Sequence, residues 1–105
     1  MFVSSQGSPY QRFRRALATG NLNVIRAAAA ELPRVDLGDV LAVCVAIRDS
    51  EPKRFQRAAL RWLARFCVER PGATVADVRL AAGAFESMAS DPDEALDTLR
   101  RLCGA

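Results

Sequence analysis

Residues 40–47 read VLAVCVAI, eight apolar side chains without a break. A run of this length and β-branched content fits either a strand buried on both faces or a helix buried all round. A strand needs a partner, because its backbone N–H and C=O groups are otherwise left unpaired away from water. No second stretch of the chain makes a convincing strand. The run therefore predicts a helix that is apolar on nearly every side and sits at the centre of an all-α domain. It is too short to cross a bilayer, which takes about twenty residues of helix.

Boundary signals on either side divide the rest of the chain into amphipathic helices. Ser8, Pro9 and Gln11 form a Ser-x-x-Gln capping box with proline at the first helical position. Tyr10, Phe13 and Leu17 follow as an apolar stripe, Arg12 and Arg15 point the other way, and Gly20 is a natural stop. Asn21 caps a second helix reaching about Leu32, with Leu22, Ile25, Ala29 and Leu32 on one face and Pro33 as its end. Asp36 and Asp39 mark the start of the central helix, where negative charge is favoured. Thr74 and Asp77 open a fifth helix with Val78, Ala81, Ala82 and Phe85 on its apolar side. Asp91-Pro92 opens a sixth through Ala95, Leu96, Leu99 and Leu102, ending near Gly104. The expected fold is a compact all-α bundle of five to six short amphipathic helices in antiparallel hairpins. Residues 1–7 read as a flexible N-terminal arm and residues 8–105 as a single helical domain.

Between the third and fifth helices lie residues 50–72, expected to form one helix capped by Ser50 and closed by Pro71-Gly72. At 100° per residue, Phe55, Ala59, Trp62, Leu63 and Phe66 fall within roughly a quarter-turn of one another. That face holds three of the chain's seven aromatic residues. Arg54, Arg57, Arg61 and Arg65 fall on the other side as a basic stripe. Like charges at i, i+4 cost an isolated helix roughly 0.2–0.5 kcal/mol per pair, so local helix stability does not explain the stripe. Three readings remain open: a solvated face, a surface for an acidic protein, or a surface for nucleic-acid phosphate. The acidic protein surface could be the Asp93/Glu94/Asp97 side of the last helix, in this chain or in another copy. The planar fork of arginine suits carboxylate and phosphate alike. No aromatic interleaves the basic face, so no platform for stacking single-stranded bases is indicated.

The charge is unevenly spread. Residues 1–70 carry twelve basic and six acidic side chains, and residues 71–105 carry three and six. Such asymmetry permits binding to an acidic partner, and it equally permits the two parts of the fold to complement each other. Fourteen arginines against one lysine, with nineteen alanines, reflect GC-rich codons of the kind a high-GC bacterial genome uses.

Little in the chain points to catalysis. There is no histidine, which removes the usual triads and the commonest general base. The three cysteines, at 44, 67 and 103, have no Cys-x-x-Cys or zinc spacing. With no signal peptide at the N-terminus, they read as reduced thiols of a cytoplasmic protein. Cys44 and Cys67 lie in apolar helical segments and read as buried, whereas Cys103, near the chain end, is the candidate for an exposed, oxidisable thiol. The glycines form no phosphate-cradling loop, and the carboxylates of residues 36 and 39 and of residues 91, 93 and 94 sit at helix starts, where capping accounts for them. No metal, cofactor or small-molecule substrate is expected.

Residues 73–78, ATVADV, followed by Ala82-Gly83, resemble the start of the helix-turn-helix of LacI-type repressors. That resemblance implies a recognition helix on residues 86–94. The segment departs from such a helix: it contains Pro92 and four acidic residues and lacks Arg, Lys, Asn and Gln to read base edges. Residues 20–30 resemble an ankyrin-repeat helix, without that family's Thr-Pro-Leu-His turn. The expected function is that of a small non-enzymatic interaction module. It would present helix faces to a protein partner or to another copy of itself. The alternative is nucleic-acid binding through Arg54, Arg57, Arg61 and Arg65, assisted by Arg12 and Arg15.

Overall fold

A computed structural model describes residues 7–104; of the expected N-terminal arm, residues 1–6 lie outside the described residues. Gly7 is held in place, its carbonyl accepting from Arg12 Nη1 at 3.0 Å. The described residues form six α-helices and no strand. These are α1 (Pro9–Thr19), α2 (Leu22–Ala29), α3 (Leu37–Ser50), α4 (Phe55–Glu69), α5 (Val75–Ser87) and α6 (Pro92–Cys103), with a 3-10 turn at Pro52–Arg54.

Most helix starts follow from the capping residues. Ser8 and Gln11 exchange side-chain and backbone hydrogen bonds at the head of α1, and Thr74 and Asp77 do the same for α5. Asn21 and Asp91 accept backbone N–H groups at the starts of α2 and α6. Each bond satisfies a donor that the helix itself leaves unpaired. Gly20 and Gly104 end α1 and α6 at φ of 68° and 76°, a left-handed turn that costs glycine no steric strain.

Three boundaries differ from expectation. Ser50 is the last residue of α3 and caps nothing; α3 runs on until Glu51, whose φ of −138° and ψ of 66° are non-helical. Pro52 causes this, because its ring disfavours helical geometry at the preceding residue. The chain then makes the 3-10 turn, so α4 starts at Phe55. Asp36 occupies the N-cap of α3 but makes no capping bond with its side chain. Helix α2 stops at Ala29, and the chain tightens into i→i+3 bonds from Glu31 to Ala28 and from Leu32 to Ala29. The segment expected as a LacI-like recognition helix does not form one. It comprises the last turn of α5, a turn, and the first turn of α6.

Consecutive helices pair as α1–α2, α3–α4 and α5–α6. Helix α3 also touches α1, α2 and α6, as its all-round apolar sequence requires. It is the shared wall of two cores. On one side Phe13, Ala16, Leu22 and Ile25 close on Ala46, with Val43 and Ile47 beside it. On the other, Leu41 and Cys44 join Trp62, Phe66, Phe85, Met88 and Leu99. Trp62 is fully buried, stacked on Phe66 at 5.4 Å and edge-on to Phe85 at 5.5 Å. Aromatic pairs of this kind add about 0.5–1.5 kcal/mol beyond the area they bury. The aromatic face of α4 is therefore core, as its spacing predicts.

Candidate functional site

The face of α4 opposite Trp62 is open to solvent. The side chains expected to form the basic stripe fare differently there. Arg54 lies in the 3-10 turn ahead of α4, with Nε 3.3 Å from Glu51 Oε1. Arg65 makes two bonds to Glu69, at 2.6 and 3.2 Å. Arg57 and Arg61 are exposed, and no acidic side chain among the described residues pairs with either.

Both local glutamates are also claimed from a distance. Glu51 pairs with Arg26 of α2 at 3.1 Å, and Glu69 with Arg34 of the α2–α3 linker at 2.9 Å. The hydrogen bond from Arg26, with Arg54 beside it, holds the Glu51 carboxyl below the usual glutamate range. The bond from Arg65, followed by that from Arg34, does the same for Glu69. An internal pairing of the stripe with the acidic side of α6 does not occur. Among the described residues Asp97 pairs with Arg101, at 3.8 Å.

Arg12 and Arg15 belong to α1, which packs on α2 and α3. Arg12 Nη2 is 2.6 Å from Glu31 Oε1. Arg15 is exposed and makes a contact of its own. Of the six candidate arginines, Arg12, Arg54 and Arg65 pair with carboxylates, and Arg57 and Arg61 are exposed with no acidic partner among the described residues.

Between and beyond these two stand apolar side chains that the sequence reading left out. Leu60 is 60% exposed and Val68 81%, with exposed Ala64 and Cys67 between them. Cys67, expected to be buried, is exposed, because its position on α4 falls outside the quarter-turn centred on Trp62 and Phe66. Cys103, the candidate for exposure, is buried, because it continues the Ala95–Leu99 row of α6 at i+4. The signal for Leu60 was available in the sequence: a leucine off the aromatic face, next to an arginine.

A groove of about 530 Å³ runs beside Leu60 between α4 and α5. Phe55, Ala59, Leu60 and Leu63 form one wall, and Ala82 and Phe85 the other. Phe55 and Phe85 meet edge-on at 6.1 Å across it. Arg48 of α3 reaches one end and donates from Nη1 to the Met88 carbonyl at 2.6 Å, which fixes the end of α5.

A second depression, about 790 Å³, lies between α1, the start of α3 and the C-terminal ends of α4 and α6. Its charges are mixed. Asp39, expected as a helix-start carboxylate, is buried there and accepts from Arg14 Nη1 at 3.0 Å. It also accepts from the Tyr10 hydroxyl, which raises the phenol above its usual pKa. These bonds hold α1 to α3. Among the described residues no three metal-ligating side chains come together, and no helix is long and apolar enough to cross a membrane. No known protein family, curated protein or solved structure matches this chain.

Proposed function

We propose that this chain is a small, non-enzymatic interaction module of the cytoplasm that docks a protein partner on the outward face of α4. One observation carries the reading: Arg57 and Arg61, without acidic partners among the described residues, alternate with exposed Leu60 and Val68. Exposed apolar side chains between uncommitted arginines are the composition of a protein interface. The arginines supply charge selection and the leucine and valine supply burial. A phosphate backbone would use the arginines and leave Leu60 and Val68 against water. Carboxylates already hold Arg12, Arg54 and Arg65, which weakens the phosphate reading further. Self-association through this face of α4 would bring two copies of Arg57 and Arg61 onto one surface, a like-charge cost that favours a different partner.

Affinity capture with the wild-type chain, Leu60→Gln and Arg61→Glu tests this reading, with circular dichroism to confirm that each variant is folded. The wild type is expected to retain a protein that both folded variants lose. Retention of nothing, or equal retention by all three, overturns it. A titration on duplex DNA separates the phosphate reading: with two uncommitted arginines on α4, a log–log salt slope steeper than about −3 would favour nucleic acid.

A further inference from the structure

We infer that the depression between α1, the start of α3 and the C-terminal ends of α4 and α6 binds a small organic phosphate. Arg70 and Arg100 take the phosphate group, and Tyr10 carries the apolar body of the ligand. The site is separate from the outward face of α4 and does not rest on the reading given above. Its volume of about 790 Å³ lies within the range of small-molecule pockets.

The charges sort out one by one. Arg14, Arg70 and Arg100 line the depression together with Asp36, Asp39 and Glu69. Asp39 is taken by Arg14, and Glu69 by Arg65 and Arg34, neither of which lines the depression. Arg70 and Arg100 have no acidic partner among the described residues. Arg100 also borders the acidic face of α6, but Asp97 there pairs with Arg101. Asp36, exposed at the rim, is the lining carboxylate left without a cation. With their partners included, five guanidiniums stand against three carboxylates, an excess that suits a dianion.

Placement then favours phosphate over carboxylate. Arg70 follows the last turn of α4, and Arg100 belongs to α6, so the two guanidiniums enter from different elements. One guanidinium fork satisfies a carboxylate, whereas a phosphate monoester offers three terminal oxygens and accepts from two. Arg70 is half-buried and lies against Gly104, where a β-carbon would overlap its Nη2. A guanidinium partly withdrawn from water gains most from an anion placed directly on it.

The α1 side supplies the apolar surface, through Tyr10, Leu17 and Ala18. Tyr10 is 47% exposed, and the bond from its hydroxyl to Asp39 holds the ring in place. A ring fixed in this way can stack on a flat body. A nucleic-acid backbone presents phosphates in a row, whereas these two arginines share one hollow.

The test titrates the full chain at neutral pH with phenyl phosphate, inorganic phosphate, benzoate and phenol, followed by calorimetry and backbone amide shifts. Phenyl phosphate is expected to bind at least about ten-fold tighter than any of the other three, with shifts centred on Tyr10, Arg70, Arg100 and Gly104. Arg70→Ala and Arg100→Ala should each weaken it about ten-fold, and Asp36→Asn should strengthen it. Tyr10→Leu should bring phenyl phosphate down to the level of inorganic phosphate. Arg57→Glu with Arg61→Glu should change nothing. Circular dichroism checks each fold, and Arg70→Lys and Arg100→Lys, expected to retain part of the binding, replace an alanine variant that unfolds. The inference is overturned by no binding of phenyl phosphate, by benzoate binding as tightly, or by affinity that follows Arg57 and Arg61 instead of Arg70 and Arg100. Tighter binding of a short DNA duplex at the same amides overturns it too.

Discussion

The indole Nε1–H of Trp62 donates to the backbone carbonyl of Leu37 across 2.9 Å, although 25 residues separate the two in the chain. The bond ties the middle of α4 to the first turn of α3 inside a core that admits no solvent at the indole. Trp62→Phe keeps a ring in place and removes the donor, at an expected cost of about 1–2 kcal/mol. Trp62→Ala also empties the site and should cost about 3–5 kcal/mol. Denaturant unfolding followed by far-UV circular dichroism measures both. A loss under about 1 kcal/mol for the alanine variant would contradict a buried indole at this position.

The three thiols should separate by rate. Cys67 is exposed, whereas Cys44 and Cys103 are buried, and burial pushes the Cys44 thiol up to about 11. Native protein treated with a chromogenic thiol reagent at neutral pH is expected to release one equivalent quickly, and the rest only on unfolding. Cys67→Ser should abolish the fast phase.

Acid should weaken the fold through Glu69 and Glu51. Their carboxyls are held below the ordinary glutamate value by arginines, Arg65 foremost for Glu69 and Arg26 for Glu51. A depressed folded-state value means that the stabilisation is complete above the unfolded-state pKa of about 4.3. It is lost as pH falls from there through the folded-state value. Unfolding midpoints measured from neutral pH downward should therefore hold steady and then drop below about pH 4.5. Glu69→Gln should shallow that drop.

The two kinds of helix start should respond differently to alanine. Thr74 accepts the Asp77 N–H at 3.1 Å, so Thr74→Ala should cost about 1 kcal/mol. Asp36 makes no capping bond, and Asp36→Ala removes only its charge near the helix dipole, less than about 0.5 kcal/mol. Equal costs in thermal or chemical unfolding would refute the assigned geometry.

Local chemistry made much of the fold legible. The capping boxes at Ser8 and Thr74, the Asp91 start, and the quarter-turn of Phe55, Trp62 and Phe66 all involve residues within a few turns of one another. Such short-range constraints operate before any tertiary contact forms. The Ser50 boundary was misread because a good N-cap residue is equally tolerated as the last residue of a helix, and Pro52 fixes only the geometry of Glu51. The candidate site was harder to read. Whether an arginine on α4 is committed depends on who else holds its glutamate. Arg26 reaches Glu51 and Arg34 reaches Glu69 from helices and linkers far away in sequence. The groove beside Leu60 is a property of how α5 lies on α4, and neither helix contains it alone.

The shared position of α3 has a further consequence, for truncation. A chain shortened to begin after α2 would retain the Trp62 core whole, because Leu41 and Cys44 already complete it. It would also lay bare Val43, Ala46 and Ile47, the flank of α3 that the α1–α2 hairpin covers. The hairpin thus acts as a shield against aggregation, and the shortened chain should precipitate or oligomerise even though its aromatic core is intact.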